Sequence, residues 1–242
     1  MAFQFVHLET YARKPDAQGR SVGWVLDEAA RKPGSCPHVA VPAEPVVLHG
    51  VPIGDVRRIH DEACERTQVT LSTGKTRALR KDQKTLMTVV ASHPAGAGQV
   101  RTDPRVGADV AAWELRTIQW LRDRYGDGLI SVVRHADEPH AHIHAYVLPP
   151  GLRAMALHPG AVAKRAVMDG GPVDGEDSKA LNRRGDAAYK AAMREWQDSY
   201  WNAVGLPSGL TRLGPGRRRL SRADWQAEKS AAAAVKIATE KA

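Results

Sequence analysis

Leu129-Ile-Ser-Val-Val-Arg-His135-Ala-Asp-Glu-Pro-His-Ala-His142-Ile-His144-Ala-Tyr-Val-Leu-Pro-Pro150 is the stretch from which the rest of the chain is read. Leu129 to His135 and His142 to Leu148 are apolar and β-prone, and Pro149-Pro150 cannot continue a central strand. The pattern predicts two strands joined by a short connection over Ala136 to Ala141. Side chains alternate along a strand, so His140, His142 and His144 share one face while Ile143, Ala145 and Val147 share the other. An antiparallel pairing then returns His135 to the side of His142 and His144.

Four of the ten histidines in 242 residues fall between His135 and His144, with Asp137 and Glu138 among them. A solitary histidine such as His93 or His158 is ordinarily a core or surface residue. Imidazoles clustered on one face of a rigid element can instead reach a single metal ion. Three of them with open positions and nearby carboxylates suit a divalent cation that polarises a substrate oxygen.

Working outward, Phe3 to about Ala12 alternates and is rich in aromatic and β-branched residues, which predicts a first strand with Phe3, Phe5, His7, Glu9 and Tyr11 on one face. Ser21 is placed to cap a helix over Val22 to Arg31, stopped by Pro33-Gly34. The segment from Ser35 to Pro45 is too proline-punctuated for a regular element, and a short helix is predicted over Asp55 to Arg66. A basic run carrying Lys75, Arg77, Arg80, Lys81 and Lys84 leads into a strand over Thr85 to Ser92, which makes its side chains candidate phosphate contacts. Residues 95 to 106 read as a loop, and Val110 to Tyr125 as a helix with a wide apolar face.

This order predicts an α+β class: a central, mostly antiparallel sheet with helices packed on one side, formed by residues 1–150. Residues 151–225 read as a helical extension completing the domain. Within it, Ser178 to Val204 is a long helix whose aromatic stripe is core. Arg217, Arg218 and Arg219 form a second basic cluster of candidate DNA contacts, and residues 226–242 read as an Ala/Lys-rich tail, a linker cut short.

The length allows one large domain with a sizeable core. No apolar run approaches the ~18 residues of a membrane span, and no leader pattern opens the chain, which gives the cytoplasm as the expected compartment and no membrane partner. Cys36 and Cys64 have no metal-ligand spacing and read as reduced thiols. A formal charge of +8 and a pI of about 9.7 favour a polyanionic partner.

The histidine stretch resembles the Pre/Mob (MOBV-type) plasmid mobilisation relaxases of the HUH endonuclease superfamily, named for His-hydrophobic-His, here His142-Ile143-His144. The family pattern runs His-x-Asp-Glu-x-x-Pro-His-x-His, and His135, Asp137, Glu138, His142 and His144 meet it at the same spacing; the departure is Ala141, with proline at Pro139 instead. Arg80-Lys81-Asp82 before a strand, and an aromatic helix followed by Val204-Gly205-x-Pro207-x-Gly209-Leu210, are similar to the family as well, so the likeness spans roughly residues 75 to 225.

The resemblance implies a sheet of relaxase type, Mn²⁺ or Mg²⁺ as cofactor, and origin-of-transfer DNA, single-stranded or supercoiled, as partner, along with other mobilisation proteins or self-association. It implies nicking and rejoining of one strand by a side-chain nucleophile. His135, His142 and His144 would be the ligands, Glu138 the acid/base group, and Asp137 and His140 the residues supporting the ligands. The family carries its nucleophile on the helix after the first strand, where this chain has neither His nor Tyr; His38, just beyond that helix, and Tyr11 are the candidate replacements. Tyr189 would suit the replication-initiator branch. Two other readings stand beside it: a metal-free histidine-triad nucleotide hydrolase, from His140-Ala-His142-Ile-His144, and a DNA-binding module that keeps the cage without a nucleophile.

Overall fold

The computed structural model describes residues 3–214 and 222–241. Strands β1 (Phe5–Ala12), β2 (Val46–Gly50), β5 (Lys84–Gly96), β6 (Leu129–His135) and β7 (His140–Val147) build a five-stranded sheet in the order β1-β5-β7-β6-β2. Every neighbouring pair in it is antiparallel. Strands β3 (Gln68–Thr70) and β4 (Thr76–Ala78) form a separate hairpin. The helices are α1 (Val22–Ala29), α2 (Ile53–Arg66), α3 (Ala97–Thr102), α4 (Pro104–Tyr125), α5 (Pro159–Asp169), α6 (Ser178–Tyr200) and α7 (Arg222–Lys241).

Alternation assigns the faces. Val6 and Leu8 of β1, Met87, Val89 and Ala91 of β5, and Ile143, Ala145 and Val147 of β7 pack under Val110, Trp113, Trp120 and Leu121 of α4 and under Trp196 and Tyr200 of α6. The intervening residues Tyr11, Leu86, Val133 and Tyr146 pack under Val22, Val25, Leu26 and Ala29 of α1 and Ile53 and Val56 of α2. The α+β class and the central antiparallel sheet are as the sequence predicts, but the helices are not confined to one side. Strands such as Val132-Val133 are apolar at successive positions, so both faces need cover.

The aromatic stripe of α6 is core. Trp196 and Tyr200 meet Trp120 edge-on with ring centroids 5.4 and 5.2 Å apart, and Trp113 Nε1 donates to Tyr200 Oη at 2.9 Å. Ser21 caps α1 as expected, its hydroxyl accepting from the Trp24 amide at 3.1 Å. Five elements depart from expectation: β2, strands β3 and β4 of the hairpin within the basic stretch, α3 within what reads as a loop, and α5. Part of the predicted tail is helix α7, docked through buried Ala232. Among the described residues no helix is long and apolar enough to cross a membrane.

Antiparallel partners directly opposite one another share a face. Phe5, Ser92, His142 and His135 therefore form one row across β1, β5, β7 and β6, and His7, Val90, His144 and Val133 form the next. This register places the functional side chains.

Candidate metal centre

His135 is the last residue of β6, and β7 starts at His140, so the connection is Ala136-Asp137-Glu138-Pro139. The hairpin sets His135 opposite His142, and alternation puts His144 one step further along the same face. A ring nitrogen from each of the three lies within 4.8 Å of the other two. Ligands at adjacent positions around one metal stand ~3 to 3.5 Å apart, so small ring rotations close the set.

The polar partners orient the rings for coordination. His135 Nε2 donates to the Ala29 carbonyl of α1 at 3.0 Å, and its Nδ1 is buried with no hydrogen-bond partner. His142 Nδ1 donates to the His140 carbonyl at 3.0 Å, and its buried Nε2 faces Glu138 Oε1 at 3.3 Å. These two rings thus each spend one nitrogen on a backbone oxygen, which leaves His135 Nδ1 unsatisfied and His142 Nε2 opposed only by a carboxylate. Buried polar atoms are rarely left so, and a histidine held through its distal N–H is the usual form of a metal ligand. The residues fit a divalent cation.

The electrostatics agree for two of the three rings. Burial lowers the His135 pKa to about 4 and drives that of His144 well below the ordinary range, so both rings are neutral, as ligands must be. Burial also opposes charge on His142, but Glu138, with Oε1 3.3 Å from Nε2, and the His140 carbonyl outweigh it and raise the pKa. Contacts with His142 and then Arg31 hold the Glu138 carboxyl far below its usual range.

Arg31, which the sequence does not single out, fixes the connection. It follows the end of α1 with φ of 53°, a left-handed conformation that is uncommon outside glycine. From there Nε and Nη2 reach Asp137 Oδ2 and Oδ1 at 2.9 and 2.8 Å, and Nη2 reaches Glu138 Oε1 at 2.7 Å. The Ala43 amide donates to Asp137 Oδ2 as well. Asp137 thus braces the connection instead of touching a ligand ring, and His140 acts through its carbonyl while its side chain is exposed.

Of the two candidate nucleophiles, His38 is brought to the site. Its Nε2 lies 3.7 Å from Glu138 Oε1 and 3.8 Å from Glu28 Oε1 of α1, and its side chain is half exposed. Glu28 is partly buried; burial raises its carboxyl pKa, with His38 pulling the other way. Tyr11 is on the right face but four residues along β1 from the row of His144 and two strands over, a step of ~13 Å along the strand alone. Its hydroxyl is bound to Glu9 Oε2 at 2.5 Å, and burial, then Glu9, pushes its pKa far up. Tyr189 lies against His158, its hydroxyl 3.3 Å from Nε2, away from the cluster.

The basic residues do not gather at the histidines. Lys75 and Arg77 sit on the β3–β4 hairpin, Arg80 is paired with Asp82 at 2.8 Å, and Lys81 is exposed nearby. Lys84 opens β5 at the end opposite Ser92, ~27 Å away at the rise of a strand, where it lines a groove with Arg153 and Arg165. Arg217, Arg218 and Arg219 lie outside the described residues.

No family model and no curated protein matches the chain. Among solved structures, it is similar to the MobM relaxase domain (MOBV; Mob_Pre) bound to 26-nucleotide pMV158 oriT DNA. The identity there is 14%, with 84% of this chain and 85% of that one covered at a TM-score of 0.43. It is also similar to the MobM relaxase domain bound to pMV158 oriT DNA of 22 nucleotides plus a 3′-thiophosphate, a Mn-bound crystal structure. There the identity is 14%, with 93% and 97% covered at a TM-score of 0.47.

Proposed function

We propose that this chain is a divalent-metal-dependent DNA nicking and rejoining protein of relaxase type, acting on one strand of a plasmid transfer origin. The observation that carries the reading is the convergence of ring nitrogens from His135, His142 and His144 within 4.8 Å of one another, with the buried Nδ1 of His135 unpaired and the distal N–H groups of His135 and His142 anchored on backbone carbonyls. His135, His142 and His144 would hold a divalent cation, which when bound would supply positive charge to a phosphodiester.

The chain's own residues do the rest. His38 stands one carboxylate away from the ligand His142, with Nε2 toward Glu138 and Glu28, so Nδ1 is the nitrogen free to attack phosphorus. The N–P bond forms as the P–O3′ bond breaks. The proton on Nε2 passes to Glu138 and from there to the departing 3′ oxygen. The products are a 5′-phosphoryl adduct on His38 and a free 3′-hydroxyl, and the reverse attack rejoins the strand. Arg31 keeps Glu138 in place for both directions. The exposed Lys75, Arg77, Arg80 and Lys81, remote from the histidines, would contact DNA flanking the nicked position.

The test is incubation with Mn²⁺ and a supercoiled plasmid carrying the DNA that flanks this gene. A relaxed product with protein covalently attached to a 5′ end supports the proposal. Nucleotide hydrolysis that survives EDTA, with no adduct, favours the histidine-triad reading, and a salt-sensitive mobility shift alone favours a binding module.

A further inference from the structure

The chain contains only two phenylalanines, and neither is in the core. Phe3 is 45% exposed and Phe5 50%, while tryptophan and tyrosine fill the interior beneath α4 and α6. Both rings line an open groove of about 790 Å³ that also takes in Ser92, Pro94, Ala95 and His140. Phe5 and Ser92 belong to the row that ends in His142 and His135, whereas His93, Val106 and Asp109 come from the α4 side, so the groove wraps the end of the sheet next to the row of the metal ligands. Strands lie ~4.8 Å apart, which puts the Phe5 backbone ~10 Å from that of His142. Among the described lining residues there is no Lys or Arg; Gln99 and Asp109 supply polar edges.

We propose that this groove receives one unstacked nucleobase of the single strand whose phosphate lies at the histidines, with the Phe5 ring as its stacking platform. The proposal rests on the DNA reading of the metal centre. The described lining holds no Lys or Arg, and Lys236 beside it is paired with Asp109, so the groove offers a phosphate little, whereas an exposed aromatic face offers any base a stacking partner. The distance fits a strand pulled off its duplex, in which the base of a nucleotide at or beside the scissile position reaches outward while its phosphate stays at the metal. Ser92, Gln99 and His140 can hydrogen-bond to a base edge and add a modest preference.

The test uses the full chain with Mn²⁺ and two six-nucleotide single strands, one of thymidines and one wholly abasic. The wild type is expected to bind the thymidine strand about tenfold more tightly than the abasic one. Phe5→Ala and Phe5→Leu should bind both equally, and Phe5→Trp should keep the preference. A 2-aminopurine in the first strand should be quenched by the wild type and not by Phe5→Ala. Manganese-dependent binding of both strands with equal affinity by the wild type would overturn the base groove and leave the phosphate site standing. No metal-dependent binding of either strand, or binding unchanged in His144→Ala, would remove the site reading and this proposal with it. A Phe5→Ala chain that melts several degrees lower while keeping the wild-type preference would assign the groove to the chain's own packing and overturn the proposal.

Discussion

Arg31 and Asp137 face each other through two parallel hydrogen bonds, Nε to Oδ2 at 2.9 Å and Nη2 to Oδ1 at 2.8 Å, with side chains 3% and 2% exposed. The pair ties the end of α1 to the connection that presents the histidines. Removing one partner of a buried ion pair strands the other charge, so Arg31→Met should destabilise the fold by about 3 to 5 kcal/mol. Arg31→Met combined with Asp137→Leu should recover part of that loss. Urea unfolding of the single and double variants measures both, and an additive double variant would refute the coupling.

Metal binding is predicted to be visible as stability. Mn²⁺ at one hundred times its dissociation constant stabilises a single-site protein by about 2.7 kcal/mol. The wild type should therefore melt higher with Mn²⁺, whereas His142→Ala and His144→Ala should show no response. A Tm that rises equally in all three chains would place the ion elsewhere.

His38→Ala should abolish the covalent DNA adduct without changing the metal-induced rise in Tm, because the side chain lies beside Glu138 and not among the ligands. Tyr11→Phe should leave the adduct intact, since its hydroxyl is engaged by Glu9. Glu138→Gln should slow adduct formation by about 10²- to 10⁴-fold, the usual contribution of a general acid/base. Denaturing gels of protein and labelled DNA read all three, and an adduct that survives His38→Ala but not Tyr11→Phe reverses the assignment.

Far more of the fold than of the site can be read from the residues. The hairpin is plain because two apolar runs flank Asp-Glu-Pro and Pro149-Pro150 ends the second, and register then follows from alternation. Strand β2 escapes because it is an edge strand with Val46 and Val47 exposed and no alternation to show. Helix α3 is hidden in Ala-Gly-Ala-Gly, whose propensity points to a loop. Arg31 carries no local signal at all, since its partner is 106 residues away. Tyr11 reads as close to the histidines by face alone, and only the register shows how far along β1 it stands.

Acid stability should carry the signature of His93. Burial lowers its pKa to about 4; the ring packs on Trp113 at 5.5 Å, and its Nδ1 accepts from the Ala95 amide at 3.1 Å. Unfolded, it takes a proton below about pH 6.5, so the unfolded state binds more protons between about pH 6.5 and 4 and stability falls as pH drops through that window. His93→Gln should lose less stability between pH 7 and pH 4 than the wild type, by at most about 3 kcal/mol. Parallel pH curves for the two chains would mean that His93 is as free to protonate folded as unfolded.

The convergence of His135, His142 and His144 on one cation is tested most directly by anomalous X-ray scattering from a crystal soaked in Mn²⁺. One strong peak within about 2.3 Å of His135 Nδ1, His142 Nε2 and a ring nitrogen of His144 is the predicted result. A map with no peak among the three rings, or with its only peak on surface carboxylates, would contradict it.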